Sequence, residues 1–281
     1  MADDLIVPAV GMYRSEDHRY WFNGQGPYTS VTTALKAYDK SDALVGWAKR
    51  ETASFAVRNL DALVAHRGHN TPVPECDPCA ANEKRRSPVG RDEAARMWVS
   101  SIPDYIKDDA ARLGTRVHLA AEAIGTGRRP TDDADIVPFA TQYRRFLDER
   151  EPTLLAIEYM GLNLTHEYAG TGDIIASIDG VNTVIDIKTH TKETPLPKKY
   201  YPDTAMQLAA CSRFDFIGRE GDPTEYAMPR VDAHAVLLLG RDDYRLIPYA
   251  VTDTTFEAFV HCLQLWRWRQ GEAKTIVGSA A

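Results

Sequence analysis

The sequence predicts an α/β domain, with a central mixed sheet flanked by helices, behind an N-terminal helical extension. Three observations carry this. From residue 104 onward, hydrophobic periodicity orders the chain as helices, three strands, a helix, two strands and a helix. Near residue 154 the period changes from helical to alternating, and Val231 to Leu239 is a nearly unbroken apolar run of the kind buried on both faces of a sheet.

In chain order, Ser30 and Ser41 are candidate N-caps for helices over Val31 to Tyr38 and Asp42 to His66. The second carries Leu44, Trp47, Ala48, Phe55 and Leu63 at helical spacing. Residues 67–88 are polar and proline-rich and read as a long loop or insertion. Helices are expected over Arg91 to Val99, Asp104 to Ile124 and Asp135 to Arg150, with Gly125, Gly127 and Pro130 between the last two. Leu154 to Leu164, Tyr168 to Ile178 and Asn182 to Thr189 form an expected three-stranded meander, turning at Thr165-His166-Glu167 and Asp179-Gly180. A helix over Asp203 to Ile217, strands over Val231 to Leu239 and Arg245 to Val251, and a helix over Asp253 to Gln270 complete the pattern. The expected division is 1–103, a helical extension with a Cys/His-containing loop, and 104–281, the α/β core.

The chain has 281 residues, 44% hydrophobic and 26% charged, the balance of a folded globular protein with a sizeable core. No apolar run approaches the ~20 residues of a membrane span, and the start MADDLIVPAV lacks a basic signal-peptide region. With four scattered cysteines this leads to an expectation of a reducing, cytoplasmic setting and no membrane partner. The net charge of -7 gives no global pull toward nucleic acid, so such binding has to come from a local basic surface or from bound cations.

Asp173 sits in Gly170-Thr171-Gly172-Asp173 on the second strand of the meander, and Asp186 and Lys188 sit in the third. Strand alternation projects Asp186 and Lys188 from one face, and pairing about the Asp179-Gly180 turn puts Asp173 opposite a residue near Asp186. Carboxylates on apolar strands need mutual pairing or a cation, and hard divalent cations held this way can activate water and neutralise a phosphate. Acid-x-lysine is a weak signal by itself. Glu272-Ala273-Lys274 is a second instance, in a polar tail with no strand around it.

With Gly114-Thr115-Arg116-Val117-His118 on a helix, Gly170-x-x-Asp173, Asp186-x-Lys188 and Gln207 on the following helix, the order resembles the PD-(D/E)XK nuclease superfamily. Within it, the likeness is to the RecB-like exonuclease branch that includes CRISPR-associated and phage-encoded members, over residues 104–270. Pro27 to Thr32 resembles the front of phage members more loosely. The resemblance implies a restriction-endonuclease-like core and a Mg²⁺- or Mn²⁺-dependent DNA exonuclease serving recombination, repair or replication. His118, Asp173, Asp186 and the carbonyl of Ile187 would hold the cation. Lys188 would orient the attacking water or offset phosphate charge, Gln207 would contact substrate or the lysine, and Glu158 would back the ligands or serve a second metal. Expected partners are DNA, linear ends favoured, and a recombination protein or a second copy of this chain; for a phage-encoded protein the location is the host cytoplasm. The family helix carries Tyr four residues after Gln, whereas here Cys211 follows Gln207, with Tyr200 or Tyr201 as spatial substitutes.

Other readings stay open at this level. The Asp/Lys group can be an ion pair at a strand end, His118 a core histidine, and Glu122 a partner of the site or of Arg116. A fold-mate without activity that only binds nucleic acid, or a sequence-specific endonuclease, would carry much of the same pattern. His66, His69, Cys76 and Cys79 have spacing that allows a structural Zn²⁺ site. Cys76, Cys79, Cys211 and Cys262 do not follow the one-early, three-late cysteine distribution of relatives holding an iron–sulfur cluster. Lys198 and Lys199 are the best phosphate-contact candidates among several basic pairs, with Tyr200 and Tyr201 available for base stacking.

Overall fold

The computed structural model describes residues 11–15, 19–61, 63, 91–191, 196, 201–219 and 222–276. They form two compact units, one of residues up to Tyr38 together with Arg116 onward, the other from Asp39 to Thr115. The expected boundary at 103/104 falls inside a single helix.

The sheet unit is α/β, with a ten-stranded mixed sheet among the described residues. Its front is not helical throughout. Strands β1 (Met12–Arg14), β2 (Tyr20–Phe22) and β3 (Gln25–Ser30) pair antiparallel in succession, turning at Asn23-Gly24, where both residues have positive φ. Helix α1 (Val31–Ala34) and a 3₁₀ turn at Leu35–Ala37 follow, and Ser30 Oγ accepts from Thr33 N at 3.1 Å as the expected N-cap. In the other unit, α2 (Ser41–Arg58) is capped differently from expectation. Lys40 holds the cap position, and Asp39 accepts from Ser41 N.

Helix α3 (Arg91–Gly125) runs through Pro103, so the two helices expected there are one. After α4 (Val137–Arg150) come β4 (Thr153–Asn163), β5 (Tyr168–Ile178) and β6 (Val181–Thr189), the predicted antiparallel meander. Asp179 and Gly180 both take positive φ, as a two-residue hairpin turn requires. Helix α5 (Pro202–Cys211) is shorter than predicted: the chain turns out at Ser212, and β7 (Phe216–Gly218) pairs with β4 before a brief β8 (Tyr226–Ala227). Strand β9 (Ala233–Leu239) lies between β6, parallel, and β10 (Tyr244–Pro248), antiparallel. Its residues from Ala235 are buried, which is why the run is apolar without alternation. Helix α6 (Asp253–Gln270) closes the unit with a Thr252 cap, and its Phe259 and Leu263 join Tyr168, Met206, Phe214 and Ile247 in one core cluster. Among the described residues no helix is long and apolar enough to cross a membrane.

His234 on β9 has a buried Nε2 without a hydrogen-bond partner among the described residues. Burial, and then the charge of Arg213, lowers its pKa to about 4. The unfolded imidazole takes up a proton at 6.5, so stability is lost as pH falls from 6.5 to 4 and levels off below. The ceiling is about 3 kcal/mol at 1.36 kcal/mol per unit, less for a ring partly open to solvent. Urea unfolding at pH 7 and pH 4.5 should show a smaller acid loss for His234→Phe than for the wild type, and equal losses would contradict this.

Candidate metal centre

Strand β4 accompanies one edge of β5 from Tyr168 to Ser177. The other edge is divided. Strand β3 pairs at Tyr168 and Ala169, β6 pairs from Ile174 to Ile178, and Gly170-Thr171-Gly172-Asp173 between them has no strand neighbour on that side. On β6 the ladder to β5 stops at Ile185, and Asp186-Ile187-Lys188 continue along β9 alone. The two sequence motifs are therefore the walls of one gap in the sheet. The glycines make room there: a Cβ on Gly170 would lie 2.9 Å from Val31 Cγ2, and one on Gly172 would lie 2.4 Å from the Tyr159 hydroxyl.

The register aligns three carboxylates across this gap. Continuing Ile174↔Ile185 by one residue sets Asp173 opposite Asp186, and the pairs Ile157↔Ile174 and Tyr159↔Gly172 set Glu158 opposite Asp173. Glu158 has φ of 45, a left-handed backbone in mid-strand. Ala156 and Tyr159, three residues apart on either side of it, both pack into the same core cluster, while the register shift of β4 lies earlier, between Leu154 and Ala156. The left-handed conformation costs about 1–2 kcal/mol for a residue with a Cβ and tends to be kept at functional positions.

His118 of α3 comes to this row. Its Nδ1 is 3.5 Å from both Glu158 Oε1 and Asp173 Oδ1, and its Nε2 is 3.1 Å from the carbonyl oxygen of Ile187. Ile187 N donates to Asp173 Oδ2 at 2.6 Å, replacing the ladder bond lost where β5 and β6 part. Burial opposes the imidazolium, but hydrogen bonds to and charges on Asp173 and Glu158 outweigh it and raise the His118 pKa to about 10. Burial pushes the Asp173 carboxyl up, yet His118, Lys188 and the Ile187 N–H together hold it below its ordinary value. Burial raises Glu158.

Asp186 is 5% exposed, whereas the Lys188 side chain beside it is 44% exposed. The ammonium lies 3.0 Å from Oδ1 and 2.8 Å from Oδ2, but only the first contact has hydrogen-bond geometry, so Oδ2 is ion-paired without a hydrogen-bond partner among the described residues. Burial raises the Asp186 carboxyl, with the charge of Lys188 opposing and that of Asp173 adding.

One ligand atom each from His118, Glu158 and Asp173 lie within 4.8 Å of one another. Carboxylate oxygens with one imidazole, and an unsatisfied buried carboxylate oxygen adjacent, suit a small hard cation, whose ligands stand about 3–4 Å apart. Two carboxylates with an imidazole form a donor set able to hold a divalent cation. The closest trio differs from the ligand set expected from sequence: Glu158 is in it, while Asp186 is held by Lys188 alongside.

Gln207 is half-buried on α5 and makes no hydrogen bond to the carboxylates or Lys188 among the described residues. Cys211 is buried with its thiol toward Thr171 O at 3.8 Å, so it takes a packing position, and burial pushes its pKa up. Tyr201 is exposed at the start of α5. Lys198, Lys199, Tyr200, His66, His69, Cys76 and Cys79 lie outside the described residues. Glu122 is paired with Arg128 at 2.6 Å, and Arg116 with Asp133, so of the two roles left open for Glu122 the pairing with Arg116 is not the one formed. Arg129 and Arg145 also have carboxylate partners. Lys274 of the second acid-x-lysine bonds to Gln270 in an exposed turn.

Sequence reasoning missed Tyr143 and Tyr159, both fully buried with hydroxyls lacking a partner among the described residues. It also missed Thr171, whose Oγ1 is 2.8 Å from the Tyr20 hydroxyl and 3.4 Å from Arg14. These depend on contacts between distant segments, and no spacing announces them.

No family model and no curated protein matches the chain. Among solved structures, the crystal structure of SSO0001 is similar at 15% identity and a TM-score of 0.28, over 49% of this chain and 59% of that one. The chain thus spans about three fifths of that structure, an overlap too slight to carry either fold or function.

Proposed function

We propose that the protein is a divalent-metal-dependent DNA nuclease with a PD-(D/E)XK-type core, acting from linear ends as an exonuclease. The observation that carries this is the alignment of Glu158, Asp173 and Asp186 across three neighbouring strands at a gap in the sheet, with His118 and Lys188 brought to the same row. A chance acid-x-lysine has no reason to meet two further carboxylates and an imidazole.

His118, Glu158 and Asp173 would hold Mg²⁺ or Mn²⁺, with Asp186 next to them. When bound, such an ion supplies charge neutralisation at the phosphate and a more acidic water. His118 would be a ligand through a deprotonated Nδ1, its ring held by the Ile187 carbonyl at Nε2. Lys188, anchored on Asp186 with its side chain partly open to solvent, can swing its ammonium to a phosphate oxygen or to the attacking water. Asp173 is kept ionised chiefly by His118 and is aimed by the Ile187 N–H.

The test is incubation of linear and circular DNA, single- and double-stranded, with Mg²⁺ or Mn²⁺. Wild type should degrade linear DNA, and Asp186→Ala and Lys188→Ala should each lose roughly 10²-fold or more. Activity surviving both substitutions, or absent from the wild type on every DNA, would sink the reading. A circular substrate cut as fast as a linear one would remove the exonuclease assignment alone.

A further inference from the structure

Arg14, Tyr20 and Thr171 meet at the gap in the sheet, and the metal reading gives them no role. Arg14 and Tyr20 stand opposite each other in the β1–β2 ladder, so their side chains share a face. On that face Met12 and Tyr20 pack with Met160, Leu162 and Ala169 in a second core cluster, which lays the hairpin over β5 at Ala169. Thr171 follows Ala169 on the same face of β5. The Tyr20 hydroxyl lies 2.8 Å from Thr171 Oγ1, and Arg14 Nη1 donates to that oxygen at 3.4 Å.

Gly172 turns its face to Tyr159, and alternation returns Asp173 to the side of Thr171, roughly 7 Å further along the strand. The Arg14 guanidinium is therefore held one strand step from the carboxylate row. Tyr20 is buried and Arg14 half-buried, so the group is presented from a fixed base. A DNA strand repeats its charge at every nucleotide, while the row sets three carboxylates against His118 and Lys188 and the whole chain carries a net charge of -7. A phosphate beyond the one at the cation thus needs a positive group of the protein placed beside the row. A guanidinium has five N–H donors in a planar fork and can stay on a threonine hydroxyl while it grips phosphate oxygens.

We propose that Arg14 binds the substrate phosphate next to the one at the metal centre, and that Thr171, with Tyr20 behind it, positions the guanidinium for this. The inference rests on the reading that DNA is the ligand of this site. It assigns the N-terminal hairpin a direct part in holding the nucleic acid, and it makes the Thr171 hydroxyl matter to binding only through Arg14.

The test is fluorescence anisotropy of a labelled linear DNA duplex with the full chain, Ca²⁺ replacing Mg²⁺, over a series of salt concentrations, beside cleavage rates in Mg²⁺. Arg14→Gln should weaken binding roughly 10-fold, as loss of one charged hydrogen-bonded contact does. It should also flatten the slope of log affinity against log salt by about 0.9, the share of a single phosphate, and raise KM more than it lowers kcat. Arg14→Lys, which keeps the charge, should retain the wild-type slope. Thr171→Val should weaken binding when Arg14 is present and have no effect in the Arg14→Gln background. Wild-type affinity in Arg14→Gln, or a loss with the slope unchanged, overturns the proposal and leaves cleavage by the wild type standing. DNA bound with this dependence on Arg14 but never cut removes the nuclease reading and keeps the phosphate contact. A wild type that neither binds nor cuts DNA overturns both.

Discussion

Replacing Asp186 by Asn should lower Mg²⁺- or Mn²⁺-dependent cleavage by roughly 10²-fold or more while raising the melting temperature of the metal-free protein. The two effects have one cause. Asp186 is buried opposite Asp173, and its carboxyl is pushed above its ordinary pKa by burial, with Asp173 adding and Lys188 opposing. A carboxyl with a raised folded-state pKa penalises folding once ionised, so the penalty sets in as pH rises above 3.8 and is present at neutral pH. Asn keeps the shape and removes the charge. Removing one member of a buried ion pair usually destabilises, because the other is stranded. Here burial holds the Asp186 carboxyl above its ordinary value in spite of the attraction of Lys188, so removing the buried charge is the larger effect. We expect the metal-free Asn variant to melt above the wild type. Cleavage assays and melting in chelator read the two arms, and an Asn variant that stays active, or that melts lower without metal, contradicts the account.

The part of the fold that positions this site was legible because local chemistry dictates it. Asp179-Gly180 demands a two-residue hairpin, that turn sets the β5–β6 register, and the register by itself brings Asp173 opposite Asp186. The β1–β3 hairpins were readable but missed. Tyr20-Trp21-Phe22 before Asn23-Gly24 is a strong hairpin signal, outweighed by the helical pattern that follows from Val31. The expected break between Val99 and Asp104 is bridged by α3, which runs through Pro103, since context can override a single residue's preference. From sequence Glu158 is expected to back the ligands or serve a second metal. Its place in the closest donor trio depends on a left-handed residue in mid-strand, a conformation glutamate disfavours and no pattern encodes. The tyrosines were illegible for a related reason: each occupies space left by a glycine on another segment, Gly125 or Gly172, and pairings of that kind exist only after folding.

Such glycines are also where the fold is most easily broken, and Gly161→Ala should have the largest effect on stability. Gly161 lies in β4 between Gly170 of β5 and Ile217 of β7, three residues after Glu158. A Cβ there would stand 1.9, 2.3 and 2.5 Å from three ring carbons of Phe214, far inside any contact a real Cβ makes. The ring cannot yield. Phe214 is 4% exposed and packs against Tyr168 at 5.8 Å and Tyr159 at 6.4 Å between ring centroids, and all three belong to the main core cluster. Overpacking against a rigid ring costs about 3 kcal/mol, while the gain from removing a flexible glycine is about 0.4–1 kcal/mol, so the net effect is strongly destabilising. Phe214→Leu alone leaves a void and also destabilises. The double variant should nevertheless recover more than about 1 kcal/mol relative to the sum of the singles, because the smaller side chain gives the new methyl room. Urea unfolding of the four proteins measures that coupling. Additive losses, or a Gly161→Ala protein as stable as wild type, would show that β4 and the Phe214 ring are not in the close contact that fixes the strand bearing Glu158.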